Sequence, residues 1–226
     1  MGEKIRLTSG VDGFAFGAWR APAEDARRGG LVLVQEIFGV TAHIRALADA
    51  FASDGYETLA PSLFDRRASG FEAGYDRQSI TRAREVSEAT PWREAASDIS
   101  ASVAALEPPV FVVGYCWGGT AAWLAACRCE GVAAVSSFYG RRLPELIDEA
   151  PRCPIILHFG RKDATIPPAA IDAIAAAHPE ATIWIYDAGH GFCSDRPADF
   201  APDAARLARL RTLQLFAMNG GGRGDA

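Results

Sequence analysis

Apolar residues in this chain follow two rhythms. Short runs at residues 31–34 (LVLV), 56–60 (YETLA), 110–113 (VFVV), 132–135 (VAAV), 155–159 (IILHF) and 182–186 (TIWIY) have the length and content of strands, several buried on both faces. An earlier strand is predicted at 14–19 (FAFGAW), after an Asp-Gly turn. Between the runs, apolar residues recur three and four apart. Residues 41–54 align Ile44, Leu47, Ala48 and Phe51 on one helical face, and Gly55 follows as a helix-ending glycine should. A second helix opens at Pro91, runs through Ile99, Val103 and Leu106, and stops before Pro108 and Pro109. Further helices are predicted at 118–128, at 168–177 and at 202–218, the last with Leu207, Leu210, Leu213 and Phe216 as its apolar face. Residues 62–91 are polar, arginine-rich and weakly periodic, and carry no predicted element.

Strands alternating with helices predict an α/β fold, a mostly parallel twisted sheet with helices on both faces. No repeat or linker divides the chain, so one domain is expected over residues 1–218, followed by a disordered tail at 219–226 (NGGGRGDA) whose RGD triplet is read as incidental.

Composition narrows the class of function. A chain of 226 residues, 49% hydrophobic, can bury a sizeable core, and a net charge of -5 with no basic run argues against a nucleic-acid partner. The N-terminal MGEKIRLTSG lacks the apolar centre of a secretory signal, and no run reaches the roughly 18 residues of a membrane span. A soluble cytoplasmic protein without a membrane partner is expected. Five cysteines without a regular framework fit reduced thiols, and C-R-C at 127–129 is too small a ligand set for zinc. No metal and no organic cofactor is expected.

The chemistry concentrates in VVGYCWGGT, residues 112–120. Glycine, nucleophile and glycine between a strand and a helix form a nucleophile elbow, where a sharp turn leaves no room for neighbouring side chains. The helix that follows offers its positive end to an anion. A buried structural cysteine would suit an isolated G-x-C-x-G equally well. Here two partners follow in the order this fold uses: Asp163 ends G-R-K-D after one predicted strand, and His190 lies in D-A-G-H-G-F after the next. All three fall at C-terminal strand ends, where parallel sheets bind ligands. Asp163 could alternatively cap a helix, and Asp187 and Asp195 are rival acids, Asp187 too close in sequence to reach around the ring of His190. Of the other histidines, His158 is expected in the core, His178 at a helix end and His43 at a helix start.

G-Y-C-W-G-G, Asp163 and A-G-H-G-F, with V-Q-E-I-F-G-V at 34–40, resemble the dienelactone hydrolase family of the α/β-hydrolase superfamily over nearly the whole chain. The resemblance implies an α/β-hydrolase fold. It implies Cys116 as nucleophile, His190 as base, Asp163 as the acid that orients it, and Glu36 as a carboxylate touching the resting thiol. It also implies an oxyanion hole built from the backbone N–H groups of Ile37 and Trp117. The activity implied is cysteine-dependent hydrolysis of a small carboxylic ester or lactone, as by a carboxymethylenebutenolidase, through a thioester. Glu36 would disfavour the thiolate by like-charge repulsion until substrate displaces it, or would instead pair with Arg45. Family members bind a substrate carboxylate through arginines. The polar insert from Arg66 to Arg84 could supply one, Arg77 and Arg82 being the candidates, with Tyr139 as a pocket residue. Where the family carries an arginine in H-S-F-A-R, this chain reads H-G-F-C-S-D-R, with Ser194 nearest that place and Arg196 displaced. Cys193 is read as an inert thiol. A broader carboxylesterase or thioesterase, and a redox module oxidised at Cys116, are the competing functions. The ordered trio speaks against a catalytically dead relative.

Overall fold

The computed structural model describes residues 2–24 and 26–222. Eight strands form one sheet in the order β1-β2-β4-β3-β5-β6-β7-β8. They are β1 (Glu3–Thr8), β2 (Ala15–Ala21), β3 (Gly29–Val34), β4 (Tyr56–Pro61), β5 (Val110–Tyr115), β6 (Val132–Phe138), β7 (Ile155–Gly160) and β8 (Thr182–Tyr186). β2 runs antiparallel to β1 and β4, and every other pairing is parallel. Every residue of β3 and β5 is buried, as their unbroken apolar runs require of central strands.

The helices are α1 (Ala42–Ser53), α2 (Arg77–Glu88), α3 (Trp92–Ala104), α4 (Trp117–Arg128), α5 (Pro168–Ala177) and α6 (Pro202–Phe216). α3 and α4 pack together on one face of the sheet. α1 and α6 share the other, where Arg209 of α6 donates to Asp54 at 2.6 Å and lies over the Phe51 ring. Nearly all of α4 is buried, which its small residues permit. No described helix is long and apolar enough to cross a membrane.

Two elements have no counterpart in the apolar pattern. β1 is an edge strand whose alternation is weak because only Ile5 and Leu7 lean on the core. α2 presents only Ala83, Val86 and Ser87 to the interior, too narrow a stripe to stand out. Its start is fixed instead by a cap: the Asp76 carboxylate accepts from the backbone N–H of Gln78 and Ser79, both at 3.0 Å.

Two expectations are corrected. Leu207 and Leu210 do not face the core; they are 40% and 51% exposed, and α6 seats Ala208 and Thr212 there beside the expected Phe216, with Leu213 packed at the edge. The reason is a buried polar cluster under the helix. Thr212 and Ser136 hydroxyls lie 2.7 Å apart, and Ser136 Oγ is 3.2 Å from Nε2 of His158, whose Nδ1 meets the Tyr186 hydroxyl at 2.8 Å. Burial pushes His158 down to about 3, so this core histidine is neutral. The ordered chain also runs further than residue 218. Residues 217–221 form a π-type turn, and the buried Tyr56 hydroxyl donates to the Gly221 carbonyl at 3.0 Å. The rest of the expected tail, 223–226, lies outside the described residues.

Arg66 opens the polar segment as a structural residue. It grips the buried Asp98 through Nη2 at 2.8 Å and Nε at 3.0 Å, and reaches Asp12 at 2.6 Å. That grip ties the segment after β4 to α3 and to the β1–β2 turn.

Candidate active site

Register sets the site. Val34 of β3 lies opposite Gly114 of β5, Tyr115 opposite Phe138 of β6, and Gly160 of β7 opposite Tyr186 of β8. The loops leaving these strands therefore emerge along one edge. Cys116 occupies the turn between β5 and α4 with φ 55°, a conformation uncommon for a residue with a side chain. The glycines around it are a steric necessity. A Cβ on Gly114 would lie 1.9 Å from the Gly118 carbonyl oxygen, and one on Gly118 would lie 2.4 Å from that of Gln35.

The three residues expected to act together are in contact. Cys116 Sγ is 3.1 Å from His190 Nε2, and His190 Nδ1 is 2.6 Å from Asp163 Oδ2. Asp163 is buried, and its other oxygen accepts from the Thr165 N–H at 2.8 Å and hydroxyl at 2.6 Å. Thr165 Oγ1 also stands 3.3 Å from His190 Nδ1. The Tyr139 ring meets the imidazole edge-on at 5.0 Å. Burial pushes His190 down, but the hydrogen bonds to Asp163 and Cys116 outweigh it and raise it to about 10. Burial likewise pushes Asp163 up, and its bonds to His190 and Thr165 bring it below the ordinary carboxylate value. The rival acids are engaged elsewhere: Asp187 pairs with Lys162 at 3.0 Å and Asp195 accepts from Tyr75 at 2.5 Å.

Glu36 is buried at the cleft wall and, among the described residues, makes no hydrogen bond. Burial raises it to about 7, with Asp195 and Asp199 adding to the rise and His190 and Arg196 opposing it. Glu36 lines the same cleft as Cys116, whose Sγ pairs with His190 Nε2. The alternative partner for Glu36 is corrected. Arg45 is spent on Glu72 at 2.7 Å and on the Val40 carbonyl. Ile37 and Trp117 flank the thiol, and neither backbone N–H has a partner among the described residues.

These residues border a cleft of about 860 Å³ whose walls include Phe38, Thr165, Arg84, Arg142 and Arg196. Arg77 and Arg82 are not among them. Both lie on the outer face of α2 beside a separate shallow groove, and Arg82 pairs with Glu85 at 3.1 Å. One helical turn explains the correction, since Ile80, Arg84, Ser87 and Glu88 share the cleft side of α2. Tyr139, expected in the pocket, is instead fully buried behind His190, wedged between it and Phe192. Ser194 and Arg196 both reach the cleft, Arg196 paired with Asp199 at 3.0 Å. Burial pushes the Cys193 thiol well above its ordinary value, which suits an inert role. Sequence reasoning missed Thr165 and Tyr75, and reached Arg84 only as the end of the arginine-bearing insert without singling it out. The Asp76 cap followed by helical spacing could have revealed Arg84; nothing local marks the other two.

Comparison with known proteins places residues 16–219 in a match to the dienelactone hydrolase family. A carboxymethylenebutenolidase from a Pseudomonas species is 33% identical over 204 residues, covering 84% of each chain. The carboxymethylenebutenolidase of Pseudomonas putida is 30% identical over 229 residues, covering 93% of this chain and 97% of the relative. Among solved structures, a dienelactone hydrolase-like promiscuous phosphotriesterase from metagenomic libraries superposes with a TM-score of 0.81 at 18% identity, covering 97% of this chain and 98% of that one, a likeness of fold.

Proposed function

The chain belongs to the dienelactone hydrolase family, and on that premise we propose that this ester or lactone hydrolase works through a thioester on Cys116, with His190 as base and Asp163 as its orienting partner. The observation that carries the reading is the unbroken line of hydrogen bonds from Sγ through the imidazole to the Asp163 carboxylate, 3.1 and 2.6 Å long.

His190, raised to about 10 against its burial by Asp163 and Cys116, holds the thiol's proton on Nε2 as an imidazolium while sulfur attacks the substrate carbonyl carbon. The oxygen becomes an anion held by the N–H groups of Ile37 and Trp117, a contribution of about 2.7–4 kcal/mol per donor in a measured case. Collapse of this adduct breaks the carbon–oxygen bond, and the leaving alkoxide takes the proton from His190. With a lactone the new hydroxyl stays on the acyl chain. Water, deprotonated by His190, then attacks the thioester carbonyl, the acid leaves, and the thiol regains its proton. Asp163 holds the Nδ1 proton, so Nε2 is the nitrogen that takes and returns the mobile proton. Arg84 takes the place first given to Arg77 and Arg82, as a cleft guanidinium for a substrate carboxylate, Arg142 and Arg196 being paired with Glu145 and Asp199.

The test is a panel on purified protein: dienelactone, p-nitrophenyl acetate and an acyl thioester. Dienelactone should give the highest kcat/KM. The cleft volume, in the range that holds drug-sized ligands, favours one other reading, a broader carboxylesterase. Preference for the neutral acetate or the thioester would select it, and turnover of none of the three would end both.

Glu36 gives a second expected outcome. Raised to about 7, it gains charge across neutral pH and then opposes formation of the thiolate. Glu36→Gln should speed alkylation of Cys116 by iodoacetamide several-fold at pH 8, where the wild-type carboxylate is charged, and by less at pH 6. Equal rates at both pH values would remove Glu36 from control of the thiol.

A further inference from the structure

Outside the triad, one side chain joins three separately built parts of the cleft wall. Tyr75 stands between β4 and α2. Its ring meets Phe38, in the loop after β3, edge-on at 4.8 Å. The Arg196 guanidinium, from the loop after β8, lies over it at 5.2 Å. Its hydroxyl donates to Asp195 Oδ1 at 2.5 Å, in that same loop.

The segment around Tyr75 is fastened to the loop after β3 by backbone. Gly39 and Glu72 form an antiparallel bridge, and the Ala73 N–H donates to the Phe38 carbonyl at 3.0 Å. Gly39 has φ +85°, and a Cβ there would lie 2.0 Å from the Phe71 carbonyl oxygen, so only glycine permits this approach. Arg45 adds its grip on Glu72 and Val40. These two segments form one body. The loop carrying His190 meets that body through side chains that include Tyr75 on Asp195 and Arg196 over the Tyr75 ring.

We propose that Tyr75 is a positioning residue for hydrolysis, which through Phe38 and Asp195 fixes the separation between the loop supplying the Ile37 N–H and the loop supplying His190. The proposal rests on the roles given above to Cys116, His190 and Ile37. Asp163 and Tyr139 already aim the imidazole, so Tyr75 acts on the distance between loops rather than on the tautomer. A phenol hydroxyl on a carboxylate is a charge-assisted bond, stronger than its neutral counterpart. Burial and the Asp195 carboxylate both raise Tyr75 far above neutral pH, which keeps the hydroxyl a donor.

Tyr75→Phe keeps the ring and deletes the donor. It should lower kcat roughly tenfold with KM within about twofold, since misplacement of about 1 Å far from the chemistry can cost up to 100-fold. Its Tm should match wild type. Asp195→Ala should show the same loss, and Asp195→Asn, whose carbonyl still accepts, should retain most of the rate. The double variant Tyr75→Phe with Asp195→Ala should fall no lower than either single one. A kcat for Tyr75→Phe within about twofold of wild type, a loss confined to KM or Tm, or single losses that multiply in the double variant would each overturn the proposal. Cys116→Ala is run beside them. An inactive Cys116→Ala with a normal Tyr75→Phe defeats the positioning role alone, whereas an active Cys116→Ala defeats the reading of the nucleophile beneath it.

Discussion

Cys116→Ala should lower kcat on an accepted ester by about 10⁶-fold, the scale seen when the nucleophile of a comparable triad is removed. The variant should remain folded. Cys116 sits at φ 55°, and alanine meets the same steric penalty there as cysteine. The turn itself is fixed by Gly114 and Gly118, which the substitution leaves alone. No second thiol should take over, because burial raises Cys193 well above its ordinary value and keeps it a poor nucleophile. What survives in the variant is the pair of N–H groups at Ile37 and Trp117, still able to polarise a bound carbonyl. The check has two parts: steady-state rates, and intact mass after exposure to a slowly hydrolysed ester. Wild type should gain one acyl group and the variant none. Full activity in Cys116→Ala would remove the thioester from the mechanism.

Asp163→Asn should cost about 10⁴-fold in kcat, for a reason visible in its hydrogen bonds. One carboxylate oxygen accepts two bonds from Thr165, from the N–H at 2.8 Å and the hydroxyl at 2.6 Å. In asparagine only the carbonyl oxygen can accept both, so the amide NH₂ turns toward His190 Nδ1. The ring must then accept at Nδ1 and carry its proton on Nε2, where the thiol proton has to go. Loss of the carboxylate also lowers His190 from about 10, which an NMR titration of its ring would follow.

The same substitution has a signature in stability. His190 is raised from an ordinary 6.5, so its contribution is full below pH 6.5 and fades as pH climbs through about 10. Asp163 is lowered from an ordinary 3.8, so its contribution is present above that pH and lost as pH falls below it. The stability gap between wild type and Asp163→Asn should therefore be widest between about pH 4 and 6.5 and narrow on both sides. A gap that is flat with pH, or a kcat within about tenfold of wild type, would mean that Asp163 does not orient the base.

Most of the sheet was readable from the chain. β3 to β8 each follow an apolar run, and α1, α3, α4 and α5 follow helical spacing or terminal signals. β1 and α2 escaped because each touches the core along a thin stripe, and hydrophobic periodicity reports burial rather than backbone conformation. Leu207 and Leu210 misled for the opposite reason. They carry the helical period, but the groove under α6 is lined by Ser136 and His158, which a threonine fits.

The elbow and the order of Cys116, Asp163 and His190 are properties of neighbours along the chain. A glycine two residues from the nucleophile, or a strand ending just before an acid, imposes its steric consequence wherever that segment lies. Membership of the cleft follows another logic. Arg84 rather than Arg77 or Arg82, Thr165 beneath Asp163, and the bond from Tyr75 to Asp195 all depend on which segments meet across space. A hydrogen bond forms or fails over a fraction of an ångström, and separations that fine are fixed by the packing of the folded chain as a whole.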